Sequence, residues 1–345
     1  MKFLIIGSGL AGLSFSERAI QDGHDIKVLS NTNEPSSTSA ATGMYNPVVF
    51  RRVEKSWMID ELLPVMHSFY SALEQKLNIE LVKPILFDRQ MPNDHYQELW
   101  NKRATEEDFK PFIKPANNSF GEVLQAGIVD CALLKQSYEE FLKSQNLLIE
   151  STFDQSLLIE KDGGLFYDGQ MFDSVIYCEG ATAAQNPLFS WLPWNICKGE
   201  WLKIETENEV HSRAVNGKTN IIPEGEKTYK LSSTFSWEDF TLDPTIEARE
   251  ELCEAFKQSF DVPFTIKEQV AGLRPTVADR RPYLGTHPQN KKLFIFNGLG
   301  TKGVMLAPYF SKHLLEHIVD QKPLMEEVNI QRHIKRFNHH IGLYR

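Results

Sequence analysis

The stretch KFLIIGSGLAG at residues 2–12 decides the fold. Its apolar first half predicts a buried strand, and its second half is a GxGxxG motif that opens a helix from about Gly9 to Gln21. The turn Gly23-His24 then leads into a second apolar strand, Asp25–Leu29. A strand, a glycine motif, a helix and a second strand in this order predict a Rossmann-type nucleotide-binding unit.

Each glycine of the motif has a physical role in binding a dinucleotide. Gly7 permits the tight turn, Gly9 lets the backbone approach a pyrophosphate, and Gly12 lets the helix pack against the strand. The first N–H groups of the helix, which begins near Leu10 and Ala11, have no acceptor within the helix and would face the phosphates. We expect all five residues to contact the cofactor.

The residue after the second strand departs from the usual pattern. An Asp or Glu at this point commonly binds the adenosine ribose, whereas this chain has Ser30 followed by Asn31. Both side chains can form a hydrogen bond with a ribose hydroxyl, but neither carries a charge. We therefore expect Ser30 and Asn31 to contact the ribose, with a lower affinity for the dinucleotide than an acid would give.

Length and composition are those of a globular protein with two lobes. The chain has 345 residues, of which 41% are hydrophobic and 24% are charged. Its formal net charge of −9 argues against a broad nucleic-acid surface. No apolar run approaches the roughly 20 residues of a membrane helix, and the N-terminal stretch does not have the pattern of a signal peptide. We expect a cytoplasmic protein that does not enter a membrane.

Cysteines and histidines show no spacing typical of a metal site or a disulfide framework. The four cysteines are widely scattered, and the adjacent His339 and His340 have no third ligand beside them. The end of the chain is nevertheless basic, and we expect it to form a solvated terminal helix with a loose end. Its basic residues are Arg332, His333, Lys335, Arg336, His339, His340 and Arg345.

Alternation of helices and strands at both ends of the chain encloses a strand-rich middle. Helical periodicity predicts helices over Ile59–Leu77, over 132–144 and from about Val304 to Val319. Strand patterns separated by turns fill Lys198–Thr234. This order predicts an α/β protein, α+β overall, in which a Rossmann-type domain built from discontinuous segments accompanies a mainly antiparallel β-sheet lobe.

Three later segments extend the pattern beyond a plain dinucleotide-binding fold. They are SSTSAATGM at 36–44, AGLRPT at 271–276 followed by Asp279 and PYLG at 282–285, and NGLGTKGV at 297–304, which enters a helix. With the first motif, this set resembles the D-amino-acid oxidase/glycine oxidase family of FAD-dependent oxidoreductases, in the family's order from residue 7 to residue 308. The Lys302-Gly303 step is also similar to the FAD-dependent domain of the tRNA methylaminomethyl-thiouridine-forming enzyme.

The resemblance implies a non-covalent FAD and a two-domain division of the chain. Residues 1–50, 128–192 and 272–345 would form the FAD-binding domain, and residues 51–127 and 193–271 the substrate-binding domain. The further cofactor-binding residues that it implies are Ser37, Thr38, Thr42, Gly43, Met44, Phe153, Gly180, Gly298, Leu299, Gly300, Thr301, Lys302, Gly303 and Val304.

Three residues are candidates for the reaction that the resemblance implies, hydride transfer from the carbon of a C–N bond to flavin N5. Arg274 of the GLRP segment would bind a substrate carboxylate, because a guanidinium can form two parallel hydrogen bonds with it. The alternative is a structural arginine bonded to loop carbonyls. Lys302 would place a charge beside the reduced flavin or face solvent, and Met44 would line the pocket or pack in the core. Tyr229 and Phe235 are further candidates for the pocket wall, with packing in the core as the alternative, since aromatic residues of strands are more often buried there.

Three functions are compatible with the sequence. The first is oxidation of a small amine or amino acid, with oxygen or another electron acceptor. The second is modification of a carboxymethylaminomethyl-type uridine on tRNA, which the Lys302-Gly303 step and the Arg51-Arg52 pair favour and the negative net charge opposes. The third is flavin binding without turnover, which the replacement of an acid by Ser30 favours.

Overall fold

A computed structural model describes residues 1–342. The α-helices of this range are α1 Leu10–Gln21, α2 Ile59–Leu77, α3 Asp94–Ala104, α4 Cys131–Ser144, α5 Ile246–Ser259, α6 Gly303–Asp320 and α7 Ile334–His340. The strands are β1 Lys2–Ile6, β2 Asp25–Leu29, β3 Met44–Tyr45, β4 Val48–Val49, β5 Glu54–Lys55, β6 Val82–Pro84, β7 Phe87–Gln90, β8 Phe120–Val123, β9 Gly127–Val129, β10 Leu148–Ile149, β11 Ile159–Lys161, β12 Gly164–Tyr167, β13 Gln170–Phe172, β14 Ser174–Tyr177, β15 Cys197–Thr206, β16 Ala214–Asn216, β17 Asn220–Pro223, β18 Thr228–Ser232, β19 Phe264–Arg274, β20 Tyr283–His287 and β21 Asn290–Asn297.

A six-stranded sheet draws its strands from three separate parts of the chain. Its order is β10-β2-β1-β14-β21-β20, and all neighbours are parallel except β20 and β21. In the centre of the sheet, Ile5 lies opposite Val28 on one side and Ile176 on the other. These three side chains are fully buried, which is typical of a parallel sheet covered on both faces.

Both faces of this sheet are covered. On one face, α1 packs against α6, and α2 and α4 lie beside them in one continuous apolar core. The Tyr70 hydroxyl of α2 donates a hydrogen bond of 2.9 Å to the Val304 carbonyl, which ties α2 to the first turn of α6. On the other face, Leu4 and Tyr177 share a second apolar cluster with Leu165 and Phe172 of the small sheet β11-β12-β13.

A seven-stranded sheet supplies the second large β-structure. Its order is β19-β15-β18-β17-β16-β7-β8, and all its neighbours are antiparallel except β16 and β7. The helix α5 covers one of its faces, where Phe256 packs with Ile204 and Leu231. Arg274, the last residue of β19, is paired with Cys197, the first residue of β15. The sheet therefore brings Arg274 next to the beginning of β15.

The structure confirms the predicted fold class and most of the predicted elements. The predicted helices near Gly9–Gln21, over Ile59–Leu77 and over 132–144 are α1, α2 and α4, and each begins within one residue of the predicted position. The domain boundaries stay a prediction. Among the helices of the described residues, none is long and apolar enough to cross a lipid bilayer.

The basic C-terminal segment is packed more closely than its composition suggested. Arg332 forms an ion pair with Asp279, with 2.9 Å between Nε and the carboxylate, and Phe337 of α7 is buried in the core. The predicted terminal helix is α7, and the Arg332–Asp279 ion pair and the buried Phe337 hold this segment against the rest of the fold. The loose end expected at the last residues stays a prediction. Arg345 lies outside the described residues. Exposed basic side chains of the segment are Lys335, Arg336, His339 and His340.

Candidate functional site

A cavity of about 590 Å³ lies where the two large sheets meet. One wall consists of residues that follow the parallel strands β1, β2, β14 and β21. The facing wall comes from β15, β18 and β19 of the seven-stranded sheet. Ligands of open α/β sheets bind beyond the carboxyl ends of the parallel strands, so this position and volume are those expected of a binding site.

The GxGxxG motif forms the cavity wall at the start of α1. Gly7 has a φ of +101°, and a Cβ atom there would lie 2.5 Å from the Cys178 carbonyl oxygen. A Cβ atom on Gly12 would lie 1.8 Å from the Gly7 carbonyl oxygen, so a side chain would push α1 away from β1. Gly9 is the N-cap residue and supplies no capping side chain. The amino end of α1 therefore opens towards the cavity, as required for binding a phosphate.

The loop at residues 36–44 follows β2 and closes over the start of α1. The Thr38 hydroxyl accepts a hydrogen bond of 3.0 Å from the Leu10 N–H. Ser37 donates a hydrogen bond to the Leu273 carbonyl, which links this loop to β19. Met44 lines the cavity and also packs against the main core, so both of its predicted environments are realised.

Polar and aromatic side chains line the cavity beyond the end of β2. Asn31 donates hydrogen bonds to Glu34, at 2.7 Å, and to Thr152, at 3.3 Å. The Ser30 hydroxyl lies 2.8 Å from that of Ser8. Phe153 also lines this region, and its ring packs on that of Tyr167 with 5.1 Å between centroids.

The loop between β21 and α6 forms the opposite part of the wall. Asn297 donates a hydrogen bond of 3.0 Å to the Gly180 carbonyl and accepts one of 2.8 Å from the Gly298 N–H. Gly298 and Gly300 have φ values of +74° and +55°, in the left-handed region that favours glycine. In the described chain, α6 begins at Gly303 without a side-chain cap. Its positive end therefore faces the cavity, where it would stabilise negative charge on a ligand.

Lys302 lies at the first turn of α6 and is largely buried. Its Nζ atom donates a hydrogen bond of 2.8 Å to the Ser56 hydroxyl. Burial, together with the charges of Arg281 and Arg280, lowers the pKa of Lys302 from its ordinary value of 10.5 to about 8. The ammonium group is therefore held in a site that disfavours its charge unless a negative charge lies nearby.

Arg274 reaches the cavity from the seven-stranded sheet, and its guanidinium lies 4.5 Å below the centroid of the Phe235 ring. The group donates hydrogen bonds to the Ser233 hydroxyl at 2.8 Å, to the Thr234 carbonyl at 3.1 Å and to the Lys198 carbonyl at 3.3 Å. These partners are neutral, and within the described chain no carboxylate lies within 4.0 Å of the guanidinium. Burial lowers its pKa.

Most of the predicted site residues come together in this cavity. Gly12 and Gly298 are the two predicted cofactor-binding residues that do not line it, because they support the α1 and α6 loops from behind. Phe235 lines the cavity as predicted. Tyr229 does not line the cavity and follows the alternative, because its side chain is buried in the core between the seven-stranded sheet and α5.

The sequence did not predict several residues of the cavity wall. Lys135 is one that a helical projection could have shown, because it lies four residues before Glu139 on α4. Asn297 lies directly before the glycine loop, where a polar side chain marks the end of a buried strand. The others carry no local signal. The missed residues include Ser8, Lys135, Glu179, Gly199, Trp201 and Asn297.

The wall has the features that FAD requires. Two helix amino ends open on the cavity, at Leu10 and Gly303, and neither has a capping side chain on its own N-cap residue. They suit the pyrophosphate and the electron-rich edge of a flavin. Gly7 and Gly12 allow α1 to pack closely against the ends of β1 and β14, since a Cβ atom at either position would collide with the neighbouring backbone. Hydroxyl groups follow β2, where an adenosine ribose binds in Rossmann domains.

Comparisons with known proteins agree with this geometry. The family model described as DAO, FAD-dependent oxidoreductase, matches residues 2–317. Glycine oxidase from Bacillus licheniformis is 26% identical over 125 residues, and the match spans 35% of this chain and 34% of that protein.

Solved structures show the same fold over almost the whole chain. Glycine oxidase from Geobacillus kaustophilus superimposes with a TM-score of 0.72 at 18% identity, covering 93% of this chain and 95% of that one. Iminodiacetate oxidase from Chelativorans sp. BNC1 superimposes with a TM-score of 0.71 at 20% identity, covering 96% and 98%. The protein therefore belongs to the family of FAD-dependent oxidoreductases and is an enzyme whose cofactor is FAD.

Proposed function

We propose that this enzyme oxidises the C–N bond of a small amine or amino acid that carries a carboxylate. The observation that carries the proposal is the environment of Arg274, a guanidinium at the cavity wall whose hydrogen-bond partners are all neutral. A buried charge without a countercharge is costly. A carboxylate in the cavity would supply that countercharge, and a charge-assisted hydrogen bond is stronger than the neutral ones it would replace.

The named relatives support this substrate class. Glycine and iminodiacetate, which appear in the names of two similar proteins, are both amines that bear a carboxylate. Bound FAD would supply an acceptor for the hydride at its N5 atom. The imine product would then hydrolyse in water to a carbonyl compound and a free amine or ammonia.

The residues of this chain would orient the substrate and stabilise charge. Arg274 would hold the carboxylate, so that the carbon bearing the nitrogen is presented in one orientation. The amino end of α6 and the ammonium group of Lys302 would stabilise the negative charge that accumulates on the electron-accepting side. The neutral partners Ser233, Thr234 and Lys198 would keep the guanidinium in place between turnovers.

Product analysis tests the proposal. The holoenzyme is incubated with glycine, sarcosine, proline and D-amino acids in the presence of a dye as electron acceptor, and carbonyl products are trapped as hydrazones. Matched amines that lack the carboxylate, methylamine for glycine and dimethylamine for sarcosine, serve as controls. We expect one carbonyl product for each two electrons passed to the dye, from a carboxylate-bearing amine only. Equal product from the matched amines would contradict a role for the carboxylate.

A further inference from the structure

Exposed apolar side chains are concentrated in the β18–α5 loop, residues 233–245. Four of them, Phe235, Trp237, Phe240 and Leu242, are 58%, 46%, 56% and 39% exposed. Phe235 and Leu242 line the cavity, whereas Trp237 and Phe240 do not. Large apolar side chains that are grouped on a surface mark a place where a ligand binds. In this loop, Phe235 and Leu242 are therefore the apolar side chains that a ligand in the cavity can cover.

Phe235 lies beside the group that would hold the substrate carboxylate. The Arg274 guanidinium is 4.5 Å from the centroid of its ring. The two preceding residues accept hydrogen bonds from the same guanidinium, the Ser233 hydroxyl at 2.8 Å and the Thr234 carbonyl at 3.1 Å. The α-carbon of a bound amino acid is one bond away from its carboxylate carbon. A side chain on that α-carbon would therefore be within reach of the Phe235 ring.

The first part of the β18–α5 loop is fixed along β15. The Ser236 N–H donates a hydrogen bond of 2.9 Å to the Lys198 carbonyl, and the Lys198 N–H donates one of 2.8 Å to the Ser236 carbonyl. The Glu200 N–H donates a hydrogen bond of 3.0 Å to the Thr234 hydroxyl. Phe235 thus lies between two residues that are bound to β15, and its backbone is held in one place.

A buried ammonium group holds the middle of the loop. Lys198 is only 1% exposed, and its Nζ atom donates hydrogen bonds to the Asp239 carboxylate at 2.5 Å, the Asp243 carbonyl at 2.5 Å and the Thr241 hydroxyl at 3.2 Å. The hydrogen bond from Lys198 lowers the pKa of Asp239 from 3.8 to about 2, so this ion pair persists at neutral and mildly acidic pH. All three partners belong to the loop. The exposed rings of the loop are therefore presented by a fixed backbone.

We propose that Phe235 is a specificity-determining residue, held in place by the Lys198–Asp239 ion pair, and that it selects amines whose carboxylate-bearing carbon carries a large apolar side chain. The role rests on the proposed function, because Arg274 must hold the carboxylate. A glycine molecule would leave the Phe235 ring exposed, whereas a phenyl side chain would cover it. Burial of an apolar side chain of this size raises affinity by ~10- to 100-fold.

The test measures binding of acids that lack the amine and so cannot be oxidised. Acetate and 3-phenylpropionate are glycine and phenylalanine without the amino group, and their Kd values are obtained from the change in flavin absorbance of the holoenzyme. We expect the wild type to bind 3-phenylpropionate ~10- to 100-fold more tightly than acetate. Phe235→Ala should lower this ratio by about ten-fold. Phe235→Leu should keep most of the ratio, because leucine retains most of the apolar area.

Matched variants of the same loop serve as controls. Phe240 is exposed to nearly the same degree as Phe235 but does not line the cavity, so Phe240→Ala should keep the ratio of the wild type. Asp239→Ala releases the loop from Lys198, which retains the Glu200 carboxylate 3.8 Å away as a countercharge. We expect this variant to bind FAD normally and to have a lowered ratio. An unchanged ratio in Asp239→Ala would overturn the positioning role of the ion pair.

The two acids separate a failure of this proposal from a failure of the proposed function. If the wild type binds both acids and Phe235→Ala keeps the ratio, the specificity role of Phe235 is wrong and the role of Arg274 is untouched. If neither acid changes the flavin spectrum of the wild type, the cavity does not hold a carboxylate beside the flavin. That result would contradict the proposed function and the role of Phe235 together.

Discussion

Gly199 offers a way to move the Arg274 guanidinium without changing its charge. Gly199 lies in β15 directly beneath that group, and a Cβ atom there would lie 1.7 Å from Nη2, 2.1 Å from Cζ and 2.4 Å from Nη1 of Arg274. Non-bonded atoms need about 3.5 Å, so in Gly199→Ala the guanidinium must shift by roughly 2 Å. The shift must break its hydrogen bonds with Ser233 and Thr234.

A shift of this size should strongly lower the rate of substrate oxidation if Arg274 orients the substrate. A misplacement of about 1 Å can lower a rate by ~100-fold, which corresponds to about 2.7 kcal/mol. We therefore expect kcat/KM of Gly199→Ala for a carboxylate-bearing amine to fall about 100-fold. Arg274→Lys retains the charge but loses the planar fork, so a loss of ~10- to 100-fold is expected for this variant as well. FAD content should stay nearly unchanged in both.

Steady-state kinetics with matched controls decide the outcome. Gly225 lies in the turn between β17 and β18 of the same sheet, and a Cβ atom there meets nothing within 4 Å. Gly225→Ala should therefore retain the kcat/KM of the wild type. A Gly199→Ala enzyme that binds FAD and keeps its kcat/KM within about two-fold would refute the role of Arg274. Loss of FAD or a collapse in Tm would instead favour the structural alternative for this arginine.

Further predictions concern the cofactor, the lysine and nucleic acid. Heat-denatured protein should release free FAD with no flavin left on the polypeptide. Gly12→Ala should contain little FAD, because its Cβ atom would lie 1.8 Å from the Gly7 carbonyl oxygen. A Gly12→Ala protein with a full complement of FAD would contradict this role of Gly12. Lys302 is charged below its pKa of about 8 and loses its proton above it, so its stabilisation of reduced flavin should be present at neutral pH and lost as the pH rises through 8. Lys302→Met should accordingly lower the flavin midpoint potential by ~30 mV at pH 7 and have little effect at pH 10, and equal shifts at both pH values would refute the charge effect. We expect no salt-dependent mobility shift with tRNA, and a shift that weakens with increasing salt would revive the tRNA alternative.

The sequence predicted those parts of the site that local chemistry determines. The spacing of Gly7, Gly9 and Gly12 after an apolar strand is sufficient to predict β1, α1 and β2, because few backbones other than a βαβ turn require glycine at these three points. The glycine loop before α6 was likewise identified from its own residues. Most of these residues line the same cavity, although they are separated by up to about 300 positions in the chain.

The sequence did not predict contacts that depend on tertiary packing. Ser8 and Glu139 are 131 positions apart, and neither has a neighbour that indicates the other. The neutral partners of Arg274 depend on how the loop after β18 folds beside β15, which no spacing in the chain specifies. For Tyr229 the sequence left the pocket and the core both open, because the position of a residue in a strand does not tell which face of the sheet packs against α5.

An anaerobic titration of the holoenzyme, followed by flavin absorbance, tests the central claim most directly. Purified enzyme with its bound FAD is mixed with glycine, sarcosine, proline and D-amino acids in turn, and the absorbance of oxidised flavin near 450 nm is recorded. We predict that at least one carboxylate-bearing amine bleaches the flavin completely and that its matched amine without the carboxylate does not. Flavin that stays oxidised with every member of the panel, yet is reduced by dithionite, would contradict the claim that this enzyme oxidises small amino-acid amines.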